Sequence, residues 1–325
     1  MQQFGSFMHT DENHEATVRT AKMNALLATD VPPDHEAMAE ALQATGRYRI
    51  LRRLAPRREL LAADGCETRI GLFVDTETTG LDPRRDEVIE LAMVRFTYGI
   101  DGRIFRIGDA FERLRQPSRP IPEAVTALTG ITNELVAGKT LDPAEIDAFA
   151  DSADLVAAHN AAFDRRFLER LSDLFARKPW ACSMSQIRWA DEGFEGTKLG
   201  YLAMGAGFFY DRHRAANDCA AAIELLASPL PKSGRTGMSH LLQAARAPTW
   251  RIWAENSPFA VKDALKARGY RWNGDVGAGP KAWYVDVDDG AVEQELAYLR
   301  EEIYGCEAAL PMRRITAYER FSDRI

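Results

Sequence analysis

Strand-like segments dominate the stretch of the chain between residues 70 and 114. Three apolar runs follow one another there, RIGLFVDTETTG, EVIELAMVRFTYG and RIFRIGDAFERL. Gly80 and the pair Asp101-Gly102 mark the turns between them. Because successive strands joined by short turns run antiparallel, the pattern predicts a three-stranded meander.

Helical and strand-like patterns alternate after this meander. The predicted elements are, in order, helices near Pro122–Leu128 and Pro143–Asp151, a strand DLVAAH at 154–159, a helix at Ala161–Phe175, and helices near 197–206 and 214–227. A meander followed by strand-and-helix alternation indicates an α/β domain with a mixed sheet. We place this domain at residues 67–230.

Different patterns flank this domain on both sides. Residues 1–66 carry helix-like patterning around Ala16–Ala28 and Asp34–Leu54, which predicts a helical N-terminal segment. The stretch PLPKSGRTG at 229–237 is rich in proline and glycine and is the predicted linker. Beyond it, short strand-like and helix-like runs predict a small α+β domain over residues 231–325.

Composition limits the classes of function. With 325 residues, 46% of them hydrophobic, the chain is long enough to bury substantial cores. The net charge of -7 argues against a protein that coats polyanions, because broad phosphate binding usually needs a cationic surface. Any contact with nucleic acid is therefore expected to be local or helped by bound cations. The arginine-rich stretch 46–60 is interpreted as a solvated face in preference to a phosphate-binding one.

Cysteine usage and hydropathy bear on the compartment. The four cysteines form no C-x-x-C pair and are scattered, at Cys66, Cys182, Cys219 and Cys306. Free thiols fit a reducing cytoplasm. The N-terminus, MQQFGSFMHTDENHE, lacks a basic start and an apolar core, and no stretch approaches the roughly 20 apolar residues of a membrane span. We expect a soluble cytoplasmic protein without a membrane partner.

A pair of acidic residues ends the first predicted strand. Asp75 and Glu77 are two residues apart in FVDTETTGLDP, so their carboxylates project from the same face of the strand. The two negative charges repel each other unless a cation binds between them. Mg²⁺ and Mn²⁺ prefer oxygen ligands of this kind. The alternative is a pair of solvated acids at a strand end.

A second acidic position follows the predicted strand at 154–159. Asp164 lies in the first turn of the next helix, where the helix N-terminus favours an ionised carboxylate. His159 and Asn160 stand between this strand and helix. For these two we favour a capping turn over substrate contact, while keeping Asn160 as a candidate substrate-binding residue.

A third acidic position lies in HRAANDCAAAIELL. Asp218 shares a helical face with Ala222 and Leu225, so it stands at the edge of an apolar stripe and needs a partner. His213 precedes it by five residues, which on one helix would place it about 140° around the axis. We therefore place His213 in the loop before the helix.

The segments DTETTG, HNAAFD and H-x4-D occur in this order and resemble the three exonuclease motifs of the DEDDh family, typified by the epsilon proofreading subunit of bacterial DNA polymerase III. The resemblance spans about 70–227 and includes PIPEAVTALTGIT between the first two motifs. It implies a ribonuclease-H-like fold with a mixed five-stranded sheet flanked by helices, in agreement with the order of elements above.

The resemblance also implies roles for individual residues. Asp75 would bridge two divalent ions, Mg²⁺ or Mn²⁺, with Glu77 and Asp218 completing one site and Asp164 serving the other. His213 would be the general base that takes a proton from the attacking water. The positions that would receive the terminal nucleotide are Thr78, Thr79, Gly80 and Leu81.

The implied activity is a metal-dependent 3′-to-5′ exonuclease that releases nucleoside 5′-monophosphates from DNA in repair or proofreading. Its partners would be nucleic acid with a free 3′ end and polymerase or repair proteins. Two alternatives remain open. One is an exoribonuclease of the same family, since discrimination of the 2′-hydroxyl depends on details of the pocket. The other is an inactive nucleic-acid-binding scaffold.

Aromatic and basic residues interleave in the predicted C-terminal domain. Its tryptophans are Trp250, Trp253, Trp272 and Trp283, and its basic residues include Lys262, Lys266, Arg268, Arg271 and Lys281. Such residues can stack bases and follow a nucleic-acid backbone. We favour the alternative, in which a small domain uses large aromatic side chains to build its core.

Overall fold

The computed structural model describes residues 33–55, 57–274 and 279–325. The chain divides into two compact units, Met1–Arg52 and Arg53–Ile325. In the described part of the first unit, helix α1 spans Pro33–Ala44. The predicted helix Asp34–Leu54 is therefore wrong in its second half, because Gly46 adopts a left-handed φ of 70° and turns the backbone. The predicted helix Ala16–Ala28 lies outside the described residues.

A five-stranded mixed sheet forms the centre of the second unit, as predicted. A short strand β1 (Arg52–Arg53) precedes its strands, which are β2 (Thr68–Thr78), β3 (Val88–Gly99), β4 (Ile104–Leu114), β5 (Leu155–Ala158) and β6 (Trp180–Cys182). Their order is β4-β3-β2-β5-β6. The first three strands form the antiparallel meander, whereas β5 runs parallel to β2 and β6 parallel to β5.

Helices cover both faces of this sheet. They are α2 (Glu123–Thr129), α3 (Asn133–Val136), α4 (Pro143–Ala150), α5 (Ala161–Leu171), α6 (Leu174–Arg177), α7 (Leu199–Gly205) and α8 (Ala215–Ala227), with a short strand β7 (Phe208–Phe209) before α8. The predicted helix Ala161–Phe175 is interrupted at Ser172, which has an extended backbone and whose hydroxyl donates to Asp147.

Strand β2 divides its side chains between two buried cores. Phe73 belongs to the core that contains α7 and α8, while Leu72 and Val74 belong to the core that contains α4 and α5. Trp180 and Cys182 are buried in this second core. Because side chains alternate along a strand, the α8 face receives odd-numbered residues of β2 and the α5 face receives even-numbered ones.

An unpredicted helix, α9 (Gly237–Arg246), follows the proline- and glycine-rich stretch. Thr236 caps it by accepting a hydrogen bond from the Ser239 N–H. Its apolar face, which includes Met238 and Leu241, joins the core around α8. Gly237 permits this packing, since a Cβ there would lie 2.8 Å from the Leu225 carbonyl oxygen. The domain boundary placed at residue 230 stays a prediction.

The C-terminal region contains strands and helices, in agreement with the predicted α+β pattern. Its four strands are β8 (Thr249–Ala254), β9 (Arg271–Trp272), β10 (Trp283–Asp288) and β11 (Met312–Ile315). They form an antiparallel sheet in the order β11-β8-β10-β9. The helices are α10 (Lys262–Ala267) and α11 (Val292–Tyr298), the latter continuing as a π-helical segment, Leu299–Tyr304. Ile252, Leu265, Leu296 and Leu299 are central to its core.

The last ten residues return to the five-stranded sheet. The fully buried Arg165 guanidinium donates to the carbonyl oxygens of Tyr318 at 2.6 Å and Arg320 at 2.7 Å. The backbone N–H of Trp180 donates to the Ala317 carbonyl oxygen at 2.8 Å. These bonds satisfy a buried cation, which would otherwise be costly.

Across the described ranges, no helix combines the length and the apolar character that a bilayer crossing requires.

Candidate active site

Three carboxylates meet at the end of strand β2. Asp75, Glu77 and Asp218 each offer an oxygen, and these three oxygens lie within 4.8 Å of one another. Asp75 and Glu77 project from the same face as Phe73, against which α8 packs. Asp218 lies in the first turn of α8. The strand period and the position of the helix therefore bring the two predicted motifs together.

Asp164 approaches from the opposite face of the sheet. It lies in the first turn of α5 and is 2% exposed. Its Oδ1 accepts hydrogen bonds from the backbone N–H of Thr76 at 3.0 Å and from the Thr76 hydroxyl at 2.8 Å. Thr76 was not predicted as a site residue. It faces α5 because it alternates with Asp75 and Glu77, and so connects Asp164 to the strand that carries them.

Burial and crowding disfavour negative charge at this site. Burial, followed by the charges of Asp164, Asp218 and Glu77, raises the pKa of Asp75 well above its usual range. Burial, followed by neighbouring carboxylates, raises the pKa of Glu77 to about 8. Burial raises the pKa of Asp164 to about 7, although the hydrogen bonds from Thr76 oppose this shift. A bound cation would favour the ionised carboxylates, because its positive charge offsets their mutual repulsion and it displaces protons from its ligands.

The donor set fits a hard divalent cation. The clustered ligands are carboxylate oxygens, without histidine nitrogen or cysteine sulfur among the three described residues. Mg²⁺ and Mn²⁺ prefer such ligands, whereas zinc and copper sites usually contain nitrogen or sulfur. The acidic cluster can therefore hold a divalent metal ion.

Asp218 is held by hydrogen bonds at both oxygens. The Tyr210 hydroxyl donates to Oδ1 at 2.8 Å, and the backbone N–H of His213 donates to Oδ2 at 2.9 Å. Burial raises the pKa of Asp218, and both hydrogen bonds oppose the shift. Tyr210 was not predicted, since nothing in its local sequence marks it as a partner of Asp218.

His213 lies in the loop immediately before α8, as predicted. The helix begins at Ala215, and His213 adopts a left-handed φ of 64°. Its side chain is half-buried. The hydrogen bond from its backbone N–H to Asp218 fixes this residue beside the acidic cluster without using the imidazole ring.

An ion pair between the buried Glu90 and the partly exposed Arg214, which no sequence motif marks, holds the His213 loop. Glu90 on β3 is fully buried and lies opposite Glu77 in the sheet. Its carboxylate accepts hydrogen bonds from Arg214 Nε at 3.0 Å and Nη2 at 2.8 Å, and from the Ala215 backbone N–H at 3.0 Å. Glu90 thus anchors the two residues that follow His213. The detectable signal was a glutamate within the apolar run VIELAMV, because a buried charge requires a partner.

We expect Glu90→Gln to lower turnover in the nuclease reaction that the family resemblance implies. The expected loss is about 10- to 100-fold, the usual effect of losing a partner that orients a catalytic or metal-binding residue. Glutamine retains the shape of the side chain but loses the charge that binds Arg214. Steady-state kinetics at saturating Mn²⁺ should show a fall in kcat with little change in KM. The melting temperature separates this effect from unfolding.

Glu112→Gln is the matched control for that variant. Glu112 also contacts Arg214, with 3.4 Å between Arg214 Nη2 and Glu112 Oε1, but the Glu112 side chain is 47% exposed. We expect this variant to retain the turnover of the wild type, because exposed ion pairs contribute little. Equal turnover in the Glu90 and Glu112 variants would show that the ion pair between Glu90 and Arg214 does not position His213.

The turn after the acidic pair contains the predicted nucleotide-contacting positions. Thr78 is buried, and its hydroxyl donates to the Gly80 carbonyl oxygen at 2.6 Å. The Thr79 N–H donates to the Glu87 carbonyl oxygen at 2.9 Å. Leu81 is 82% exposed. Thr78 and Thr79 therefore shape the turn, whereas Leu81 presents an apolar side chain to solvent beside the acidic strand.

The turn between β5 and α5 differs from its prediction. Asn160 occupies the cap position of α5 with a left-handed φ of 82°, but its side chain makes no capping hydrogen bond. The predicted capping role of this side chain is therefore wrong. The Asn160 side chain is exposed and therefore accessible to a substrate, so the predicted substrate contact stays a proposal.

His159 has a structural environment. Its Nε2 lies 2.7 Å from the Thr197 carbonyl oxygen, which can only accept, so Nε2 carries the proton. Its Nδ1 then accepts a hydrogen bond from the Ser183 hydroxyl at 2.9 Å. Burial lowers the pKa of His159 to about 4, so the ring is neutral at neutral pH. Both nitrogens are thus used within the fold.

Comparisons with known proteins identify a family for this chain. The family model described as exonuclease, RNase_T, matches residues 72–226. The chain is 36% identical over 176 residues to a DNA polymerase III subunit epsilon-like protein of Rhodobacter capsulatus, covering 51% of this chain and 24% of that protein. It is 30% identical over 161 residues to DNA polymerase III subunit epsilon of Aquifex aeolicus, covering 47% of this chain and 77% of that protein.

A solved structure, Exonuclease X in complex with 5′ overhanging duplex DNA, is 26% identical, with a TM-score of 0.40 and coverage of 54% of this chain and 98% of that one. The sheet and the matched family define a ribonuclease-H-like exonuclease fold, which confirms the predicted fold class. The chain belongs to the exonuclease family that includes the epsilon subunits of DNA polymerase III.

Proposed function

We propose that the protein is a metal-dependent exonuclease that removes nucleotides from the 3′ end of DNA. The observation that carries this proposal is the convergence of Asp75, Glu77 and Asp218 within 4.8 Å at the end of β2. Asp164, bound to Thr76 between the two acids of the strand, and the His213 loop complete the arrangement. These five residues are the catalytic positions that the family resemblance implies.

The four acidic residues would hold two divalent cations, Mg²⁺ or Mn²⁺. Asp75 would contact both ions, Glu77 and Asp218 would complete one site, and Asp164 would serve the other. The two hydrogen bonds from Thr76 use Oδ1 of Asp164, so Thr76 leaves the other oxygen, Oδ2, available for this role. When bound, such ions neutralise charge on the phosphodiester and make water more acidic.

His213 would accept the proton of the attacking water. Water oxygen then forms a bond to phosphorus while the bond between phosphorus and the 3′ oxygen breaks. The 3′ oxygen leaves and takes up a proton, so one nucleoside 5′-monophosphate and a shortened strand result. The backbone bond from His213 to Asp218 supports this role, because it holds the residue near the cluster and leaves the ring available for proton transfer.

The nature of the strand is inferred from relatives. Two of them are named as subunits or subunit-like proteins of DNA polymerase III, which favours DNA over RNA and suggests polymerase or repair proteins as partners. The exposed Leu81 and Asn160 and the turn at 78–80 are the proposed contacts of the terminal nucleotide. The four free cysteines fit the cytoplasmic location that we propose with this function.

The direction and the substrate are tested with oligonucleotides labelled at the 5′ end. With Mn²⁺, we expect single-stranded DNA to shorten stepwise while the label stays on the longer product. A strand with a blocked 3′ end is the control and should persist. Faster shortening of RNA of the same sequence would support the exoribonuclease alternative. Binding of both strands without shortening would support the inactive scaffold and contradict the proposal.

A further inference from the structure

Five residues of the C-terminal region form a stripe in which two lysines lie between aromatic side chains, in the order Phe259, Lys262, Lys266, Trp283, Trp272. Lys262 Nζ lies 4.2 Å from the centroid of the Phe259 ring, and Lys266 Nζ lies 5.7 Å from that of Trp283. The Trp283 and Trp272 rings are 5.6 Å apart in an edge-to-face arrangement. The two lysines are one turn apart on α10, so they join both ends of this aromatic–lysine stripe.

The core of the region does not account for the ends of the stripe. Trp253 is buried and Trp283 packs partly against the core, as expected for a small domain built around aromatic residues. Phe259, however, is 80% exposed, and Trp272 is 52% exposed. Exposed aromatic side chains placed together are typical of interaction surfaces. The core interpretation is therefore correct for Trp253 and insufficient for Phe259 and Trp272.

The charge along the stripe is positive. Within the described ranges, neither Lys262 nor Lys266 forms an ion pair. Of the nearby acids, Asp286 pairs with Arg251 at 2.7 Å and with Arg271 at 3.3 Å, and Glu295 pairs with Arg268 at 2.9 Å. Asp263 is the exposed acid on α10. The two lysines thus provide free positive charge in a protein whose net charge is -7.

We propose that the aromatic–lysine stripe is a binding site for single-stranded nucleic acid, separate from the acidic cluster. Unpaired bases would stack on Phe259 and Trp272, and the lysines would contact the intervening phosphates. Stacking surfaces on both sides of a pair of cations suit a flexible strand whose bases are accessible. A duplex offers its phosphates but not its base faces, so it fits the stripe poorly. Binding at this site does not depend on cleavage.

The test measures binding of the full-length protein to a fluorescent oligothymidylate by anisotropy in EDTA, which prevents cleavage. We expect Phe259→Ala and Trp272→Ala each to weaken binding by about fivefold or more, the usual effect of losing one stacked base. We expect Lys262→Gln combined with Lys266→Gln to weaken binding and to reduce the slope of log affinity against log salt by about 1.4. A blunt duplex of equal length should bind at least about tenfold more weakly than the single strand.

Matched controls are Tyr318→Ala and Lys232→Gln. Tyr318 is 54% exposed, and Lys232 is also exposed, but neither belongs to the stripe. Unchanged affinity in the stripe variants, equal loss in the controls, or equal affinity for duplex and single strand would each overturn the proposal. Because EDTA removes metal-dependent cleavage from the measurement, these outcomes are distinct from failure of the proposed exonuclease activity.

Discussion

Asp75→Asn is expected to reduce nucleotide release by at least about 10³-fold, because loss of metal-assisted charge stabilisation costs several kcal/mol and about 1.4 kcal/mol corresponds to a factor of ten. Asp75 is the residue that both proposed metal sites share, and asparagine removes its charge while preserving its shape. The measurement is the initial rate of nucleotide release from single-stranded DNA at saturating Mn²⁺. Asp109→Asn is the control, since Asp109 is an exposed residue of β4 and should keep full activity.

Asp75→Asn should also melt at a higher temperature than the wild type when divalent cations are absent. The pKa of Asp75 is raised in the folded protein above its unfolded value, so ionisation of this carboxyl opposes folding at neutral pH. Asparagine cannot ionise and therefore stabilises the fold at neutral pH. This gain should vanish below about pH 4, where aspartate is protonated in both states. A lower melting temperature at neutral pH would mean that the loss of activity reflects misfolding.

His213→Ala is expected to lower kcat by about 10²- to 10⁴-fold, the usual contribution of a general base. Metal affinity should change little, because the hydrogen bond from His213 to Asp218 comes from the backbone N–H and both variants retain it. Alanine is strained at the left-handed φ of 64° that His213 adopts, whereas asparagine tolerates it. His213→Asn is therefore the better-matched variant, and it should lose as much turnover as the alanine variant.

Mn²⁺ titration by calorimetry tests the role of the ring separately from turnover. Affinity close to that of the wild type, together with low kcat, fits a base that does not bind metal. Loss of Mn²⁺ affinity in both variants would make His213 a metal ligand instead. Loss in alanine but not in asparagine would show that the loop conformation, and not the imidazole, holds the site together.

Local spacing patterns in the sequence predicted much of the site. The two-residue period of β2 predicts that Asp75 and Glu77 share a face, and the structure places both of them toward α8. The spacing of His213 and Asp218 predicts a loop before the helix, which begins at Ala215. In both cases the deciding geometry belongs to one strand or one helix, so it can be worked out from adjacent residues alone.

Contacts between distant segments were not predictable in the same way. Glu90 binds Arg214 across 124 positions of the chain, and its partner depends on the packing of β3 against α8. The bond between Asp164 and Thr76 depends on which helix covers the even-numbered face of β2. The glutamate in an apolar run indicates that a partner exists without identifying it.

Errors at the ends of elements have local causes. Helix α1 ends at Ala44, followed by the left-handed Gly46, although helical spacing of apolar residues continues to Leu54. Asn160 has the residue type of a capping residue, but its backbone is left-handed and its side chain makes no capping hydrogen bond. Residue type and spacing indicate where an element belongs, while its end depends on backbone conformation.

The measurement that tests the central claim most directly is the chemistry of the first product. A DNA strand labelled at its 3′-terminal nucleotide is incubated with Mn²⁺ and the wild-type or Asp75→Asn protein, and the released label is separated by chromatography. A site in which Asp75, Glu77, Asp164, Asp218 and His213 act together predicts rapid release of a nucleoside 5′-monophosphate by the wild type alone. Equal release by both proteins, or release of a labelled oligonucleotide instead of a mononucleotide, would contradict it.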